Sequence, residues 1–154
     1  MTAAPPPDGD RTPARAREGS SVTSPPKSGR DRHVPFIAHL GVVREHAQDG
    51  QARVVLDLRP ELLNNHAGGH GGVVMTLLDC AMAHAALSKL DYAREVVTVD
   101  MHVSFMRASA GRLVAQARVV GGGRSICFCE AHITAADGSL AAQAMGTFRY
   151  RDPA

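Results

Sequence analysis

The sequence predicts an α+β domain in which an antiparallel sheet of five to six strands wraps around one long central helix. Three observations point there. Residues 73–89, "VVMTLLDCAMAHAALSK", form the one long helical segment, and it is apolar on nearly every side, so it must be enclosed. The segments around it alternate, or run apolar, between turn signals, as strands do. No second helix is available to cover the crossovers that a parallel sheet needs.

From Phe36 onward the elements follow in order. "HLGVVREH" and "QARVVLDLR" flank "AQDG", whose Asp49-Gly50 is a hairpin signal, so the first two strands pair antiparallel. A glycine-rich loop, "PELLNNHAGGHGG", leads into the helix. Next comes "VVTVDMHVSFM", in strict alternation. Val97, Val99, Met101, Val103 and Phe105 take one face, and Thr98, Asp100, His102 and Ser104 the other. "RLVAQARVV", "RSICFCEAHITA" and "SLAAQAMGTFRYR" complete the sheet, separated by "GGG" and "ADG" turns. Residues 34–152 read as a single domain.

Composition bounds the function. The chain has 154 residues, 44% hydrophobic and 21% charged, which is ordinary for one globular domain with a real core. Its 17 Lys/Arg and 15 Asp/Glu divide unevenly: residues 1–33 hold six and four, leaving eleven and eleven. The net +2 therefore belongs to the N-terminal segment, and the remainder is neutral. With two tyrosines and no tryptophan it also lacks the stacking platforms of a single-strand binder, so a nucleic-acid partner is not expected. Asp79 and His84 interrupt the apolar segment before the roughly 20 apolar residues that a membrane span requires.

Residues 1–33 carry six of the nine prolines and almost no large apolar side chain, and are expected to be disordered. They contain no apolar core of a secretory signal, and their prolines and aspartates argue against an amphipathic transit peptide. Three cysteines without a CxxC pair fit a reducing cytoplasm. Cys127 and Cys129, two apart in a strand, share a face and are expected as small buried hydrophobes.

The helix start carries the chemistry. Gly68, Gly69, Gly71 and Gly72 surround His70, and a glycine-rich loop opening a helix leaves backbone N–H groups free at the positive end of the macrodipole. Such an end binds an oxygen that is, or is becoming, anionic. The loop could polarise a carbonyl, or the glycines could serve only a tight turn. Asp79 is the second oddity, a carboxylate whose i−4, i+3 and i+7 neighbours are Met75, Met82 and Ala86. It serves either as a catalytic group or as a partly solvated carboxylate bonded to Thr76 or a nearby loop. His70 either fixes the turn through the backbone or contacts substrate. His66 and His70 form HxxxH, but the intervening glycines and the lack of a following Glu argue against a zinc site.

Distance decides how the two features can cooperate. Asp79 lies seven to eight residues beyond Gly71 and Gly72, about 10–12 Å along the axis. A base and an oxyanion donor must both sit roughly 3 Å from the reacting group, or be joined by one water. One helix cannot supply both, so the expected site is composite, with Asp79 serving a carbonyl held at the helix start of another subunit in a two-fold dimer.

"NNHAGGHGGVVMTLLDCAMA", with "VTVDMHVSFMRAS" and "GGGRS", resembles the hotdog-fold acyl-CoA thioesterases of the phenylacetate-degradation (PaaI) and 4-hydroxybenzoyl-CoA group, over about residues 36–150. Asn64 stands six positions before the HGG histidine and Asp79 nine after it, in the family's register. The resemblance implies that the Gly71 amide polarises a thioester carbonyl while Asp79 of the opposite subunit acts as general base on water, or as nucleophile. It implies that Asn64 helps to position the water and that Thr98 occupies the place of a hydroxyl residue that holds it in some relatives. It also implies an acyl-CoA substrate, no cofactor and a homo-oligomer, commonly a tetramer of two dimers. Arg124 resembles a position near the nucleotide phosphates of coenzyme A, and Arg107 could assist, with Gly72 allowing close approach of the substrate. One departure is Ala67, where the family often has glycine.

Hydrolysis of an acyl-CoA thioester is therefore the leading expectation. Dehydration or hydration of a 3-hydroxyacyl thioester, and non-catalytic acyl-CoA binding, are the alternatives. Met75, Met82, Met101 and Met106 either line an adaptable acyl pocket or belong to the core.

Overall fold

A computed structural model describes Met1 and residues 32–153. The stretch expected to be disordered lies, from residue 2 to residue 31, outside the described residues. A short helix, α1 (Pro35–Leu40), comes first. It corrects the expectation of a first strand beginning at His39. Pro35 suits the first helical position, Gly41 ends the helix in the left-handed region (φ 82°), and Arg59 donates to the carbonyls of His39 (2.5 Å) and Leu40 (2.8 Å).

The expected hairpin follows as β1 (Val43–Gln48) and β2 (Gln51–Asp57). Asp49 and Gly50 both have positive φ (53° and 80°), as a type I′ turn requires. The Gly50 amide donates to Ser88 Oγ at 3.0 Å, which ties the hairpin tip to the far end of the central helix. That helix, α2 (Gly71–Lys89), starts two residues earlier than expected because Gly71 and Gly72 already lie in its first turn. Four strands complete the chain: β3 (Glu95–Phe105), β4 (Arg112–Gly122), β5 (Ile126–Thr134) and β6 (Leu140–Arg151).

All strands pair antiparallel, in the order β1-β2-β4-β5-β6-β3, so among the described residues β1 and β3 are the free edges. The register explains how a thick helix fits against the sheet. Ala52, Ala117, Ala131 and Ala144 are cross-strand partners in one row across β2, β4, β5 and β6, all buried. Gly146 lies two residues beyond Ala144 on the same face, and an added Cβ there would come within 3.2 Å of Met82 Cε. These small side chains form a trough in which Leu77, Leu78, Ala81, Met82 and Ala85 of α2 are fully buried. Length and hydropathy alone would let α2 cross a membrane, but its apolar surface is spent on the sheet.

Enclosure is complete only on that side. Gly72, Thr76, Asp79, Ala83 and Leu87, spaced three and four apart, form a stripe that remains exposed or half-buried, with Met75 beside it 40% exposed.

The strict alternation expected of β3 is also corrected. Thr98 pairs with Phe148 and Asp100 with Thr147, so Val99 is an extra residue, a β-bulge. The bulge reverses the faces: Thr98 joins Met101, Val103 and Phe105 on the helix side, while Asp100 points outward and accepts from Thr147 Oγ1 at 3.3 Å. Cys127 and Cys129 share the inner face as expected, both buried, with their sulfurs 3.6 Å apart.

The trough gives a direct test. Ala131→Leu forces a larger side chain beneath α2, and urea unfolding should show a loss of about 1–3 kcal/mol relative to the parent.

Candidate functional site

The glycine loop is held as a compact turn. Asn64 Oδ1 accepts from the amides of His66 (2.8 Å) and Gly68 (3.2 Å), and the Asn64 amide N–H donates to the Gly68 carbonyl at 2.7 Å. Ala67, at the position where glycine was noted as usual, sits in the left-handed region (φ 60°). The turn thus keeps a conformation that suits glycine and carries it on an alanine. Gly69 is required for space. A Cβ there would stand 2.7 Å from Ser109 Oγ and 3.0 Å from Leu58 Cδ1, and the Gly69 amide donates to the Ser109 carbonyl at 2.8 Å.

His70 is the N-cap of α2. Its Nδ1 accepts from the Gly72 amide at 3.0 Å, which requires a neutral ring with the proton on Nε2. The His70 carbonyl accepts from Val73 and Val74, so Gly72, Val73 and Val74 are satisfied. The Gly71 N–H has no acceptor among the described residues, and no acidic side chain occupies the first turn. One donor at the positive end of a 19-residue helix is therefore available to an incoming oxygen.

Gly71 opens into a cleft of about 430 Å³ lined also by Asn64, Val74, Phe105, Met106, Arg107 and Ser109. Phe105 stands over the glycine, with its ring 3.6 Å from where a Cβ would be. Phe105 and Ser109 were not singled out from the sequence. The Gly-Gly at 68 and 69, which leaves room for a second chain segment, is the signal that could have found Ser109. Of the four methionines considered, Met82 is fully buried core and Met106 lines this cleft.

Asp79 does not line the cleft. It faces the exposed stripe of α2 and accepts from Thr98 Oγ1 at 2.8 Å. Thr76, the alternative partner, instead donates to the Gly72 carbonyl at 2.9 Å. Burial pushes the Asp79 carboxyl above its ordinary value, and the Thr98 hydrogen bond partly offsets this. The neighbouring Cys80 thiol is pushed up to about 12 by burial and then by the Asp79 charge, so it stays neutral.

The two arginines lie apart. Arg107 is in the Gly71 cleft, beyond the end of β3. Arg124 is in the β4–β5 turn, where its carbonyl accepts from Arg94 Nη1 at 2.7 Å, beside the start of β3. A second cleft of about 540 Å³ opens there, lined by Arg94, Val97, Val99, Arg149, Tyr150, Arg151 and Asp152. Within one copy of the chain, then, Gly71, Asn64, His70 and Arg107 gather at one end of β3, while Asp79 and Thr98 form a separate pair and Arg124 lies at the far end.

A long helix laid in a six-stranded antiparallel sheet is an architecture shared with known proteins. Residues 69–142 match the family model of the thioesterase superfamily. A Halobacterium salinarum protein named "Putative esterase" is 37% identical over 130 residues, covering 76% of this chain and 85% of its own. The chain belongs to the thioesterase superfamily, and its fold is the hotdog fold. Among solved structures, a conserved protein from Pseudomonas aeruginosa is 30% identical with a TM-score of 0.74, over 77% of this chain and 95% of that one. The PaaI protein of the E. coli phenylacetic acid degradation operon shares the fold, at 24% identity and a TM-score of 0.70, over 75% and 83% of the two chains.

The raised Asp79 carboxyl has a consequence for stability. A folded-state value above the unfolded one means that the native state favours the proton, so stability is lost as pH rises through the folded value. Asp79→Asn keeps an acceptor for Thr98 and removes the buried charge. Its melting temperature should exceed the parent's at pH 7–8, with the gain shrinking toward about pH 3, where the parent carboxyl is protonated too.

Proposed function

We propose that this thioesterase hydrolyses an acyl- or aryl-CoA thioester to the free acid and coenzyme A, in a site completed by two copies of the chain. The observation that carries this reading is the free Gly71 amide in a cleft that Asp79 of the same copy does not line. The thioester oxygen accepts from Gly71 N–H, and the helix dipole favours the negative charge that builds on it. Asp79 of the other copy removes a proton from a water that attacks the carbonyl carbon, or attacks it directly. On either route the C–S bond then breaks and coenzyme A leaves as the thiolate, which takes up a proton; on the direct route water next cleaves the acyl anhydride on Asp79, releasing the acid and restoring the carboxylate. Both routes need an ionised Asp79, and neither needs a second titratable group at the Gly71 cleft.

Edge strand β3 supports the two-copy arrangement. It is eleven residues long, unpaired on one side among the described residues, and exposes Val97 (44%), Val99 (58%) and Phe105 (55%). Such an edge invites a second strand. A two-fold antiparallel pairing of β3 with its copy sets the Thr98 end of one strand beside the Phe105 end of the other, and so Asp79 beside Gly71. It also carries Arg124 toward the Arg107 of the other copy, where the two could meet the phosphates of coenzyme A. Asn64 and His70 then shape the glycine turn, and Gly72 is held by His70 so that Gly71 faces the substrate. The assembly is a dimer at minimum.

Thiol release from phenylacetyl-, benzoyl-, acetyl-, hexanoyl- and lauroyl-CoA tests the reading. The parent should turn over at least one of them, Asp79→Ala should lose about a hundredfold or more, and the acid limb of kcat/KM should lie above the ordinary aspartate value. Gly71→Pro is the complementary variant. Proline is favoured at the first helical position, and the extended His70 backbone (φ −59°, ψ 137°) accepts a following proline, so the helix survives while its free amide is deleted. That loss should also be about a hundredfold or more. Acyl-CoA that raises the melting temperature without any turnover would contradict hydrolysis.

A further inference from the structure

The β3 strand is irregular at one place, and that place adjoins the Asp79 carboxylate. On regular alternation Thr98 shares a face with Asp100, His102 and Ser104, all on the outer side of the sheet. The extra residue at Val99 turns Thr98 inward instead, into the cross-strand row of Cys127 and Phe148, beneath α2. Bulges concentrate beside active sites because they re-aim single side chains in this way. Val99, left over by the change, is 58% exposed on the open edge. The same shift turns Val96 inward against the core, but it leaves Val97 and Val99 exposed and breaks the ladder, which are costs to the fold of a single copy.

The side chain that the bulge delivers has one proton to give, and it gives it to Asp79 Oδ1 at 2.8 Å. No other side chain is hydrogen-bonded to that carboxylate among the described residues. Thr76, one turn back on the same helix, spends its hydroxyl on the Gly72 carbonyl. The other carboxylate oxygen, Oδ2, is left open on the exposed stripe of α2.

We propose that Thr98 is a positioning residue, turned into the site by the Val99 bulge, whose hydroxyl clamps Asp79 Oδ1 so that Oδ2 is the oxygen presented to the reaction. The proposal rests on the thioester-hydrolysis reading and gives Thr98 a different task from holding the attacking water. With its proton committed to Asp79, the hydroxyl can only accept from a water, so it cannot orient one by donation. The clamp fixes the carboxylate rotamer and favours its ionised form against the burial that opposes it. No cation among the described residues acts on the carboxylate, and the adjacent Cys80 thiol is neutral, so Thr98 is the one side chain that offsets burial there.

Two substitutions and two readouts test this. Thr98→Ser keeps the donor, whereas Thr98→Val keeps the shape and β-propensity and deletes it. With the best substrate of the CoA panel, Thr98→Ser should stay within about threefold of the parent. Thr98→Val should lower kcat by about ten- to a hundredfold with KM little changed, and should move the acid limb of the rate profile upward. The second readout needs no turnover: the Asp79 carboxyl carbon, followed by NMR through a pH titration, should titrate higher in Thr98→Val than in the parent and in Thr98→Ser. A Thr98→Val protein whose rate and Asp79 titration both match the parent would overturn the proposal. So would a lowered kcat with an unmoved titration, because that is what loss of a water-binding hydroxyl produces. If the parent itself hydrolyses none of the thioesters, the hydrolysis reading fails, and the titration alone still shows whether Thr98 controls Asp79.

Discussion

A helix that is apolar around nearly its whole circumference cannot rest on a sheet of ordinary side chains, and the rest of this structure follows from that constraint. The sheet answers with a trough of alanines and one glycine running across β2, β4, β5 and β6, which lets Leu77, Leu78, Ala81 and Met82 sink to zero exposure. Because the sheet is antiparallel and ends at β3, it covers one side of α2 and stops. What remains is a stripe containing Asp79, next to an edge strand with free backbone groups. The uncovered part of the core helix and the unpaired part of the sheet are thus neighbours, and the proposed chemistry lies along that seam.

Along the seam two opposite electrostatic demands are kept apart. The start of α2 offers a positive end and one free N–H, with His70 capping its neighbour so that a single donor is exposed. Two turns later, Asp79 is a carboxylate in surroundings that disfavour its charge, balanced by one hydroxyl. Had the two been adjacent on the helix, the carboxylate would have filled the donor site itself, as acidic residues do at helix N-termini. Separation leaves both groups free for the proposed substrate to bridge.

Much of this was legible from the residues, for identifiable reasons. The composition of residues 73–89 predicts a buried helix, Asp49-Gly50 predicts the hairpin, and the HGG loop with Asp79 nine residues after its histidine marks both halves of the candidate site. What escaped depends on contacts between distant segments. α1 is stabilised by Arg59, 19–20 residues away, and its last two residues, His39 and Leu40, read as the start of a strand. The Val99 bulge is invisible in "VVTVDMHVSFM", whose alternation is unbroken, because it exists only in the register against β6. Ser109 meets Gly69 across the cleft from a loop forty residues away in sequence, and alternation carries no information about such an approach.

Division of the site between two copies is the claim on which the functional account stands, and mixing two inactive proteins tests it most directly. Asp79→Ala retains the Gly71 amide, and Gly71→Pro retains the carboxylate. Unfolded together and refolded as mixed dimers, they should regain thiol-releasing activity, because one of the two sites in each mixed dimer then contains both intact groups. Random pairing makes half of the dimers mixed, so recovery should approach about a quarter of the parent's activity per site. Mixed dimers that form, as shown by mass spectrometry of differently tagged chains, yet remain as inactive as either variant alone would contradict a site shared between copies.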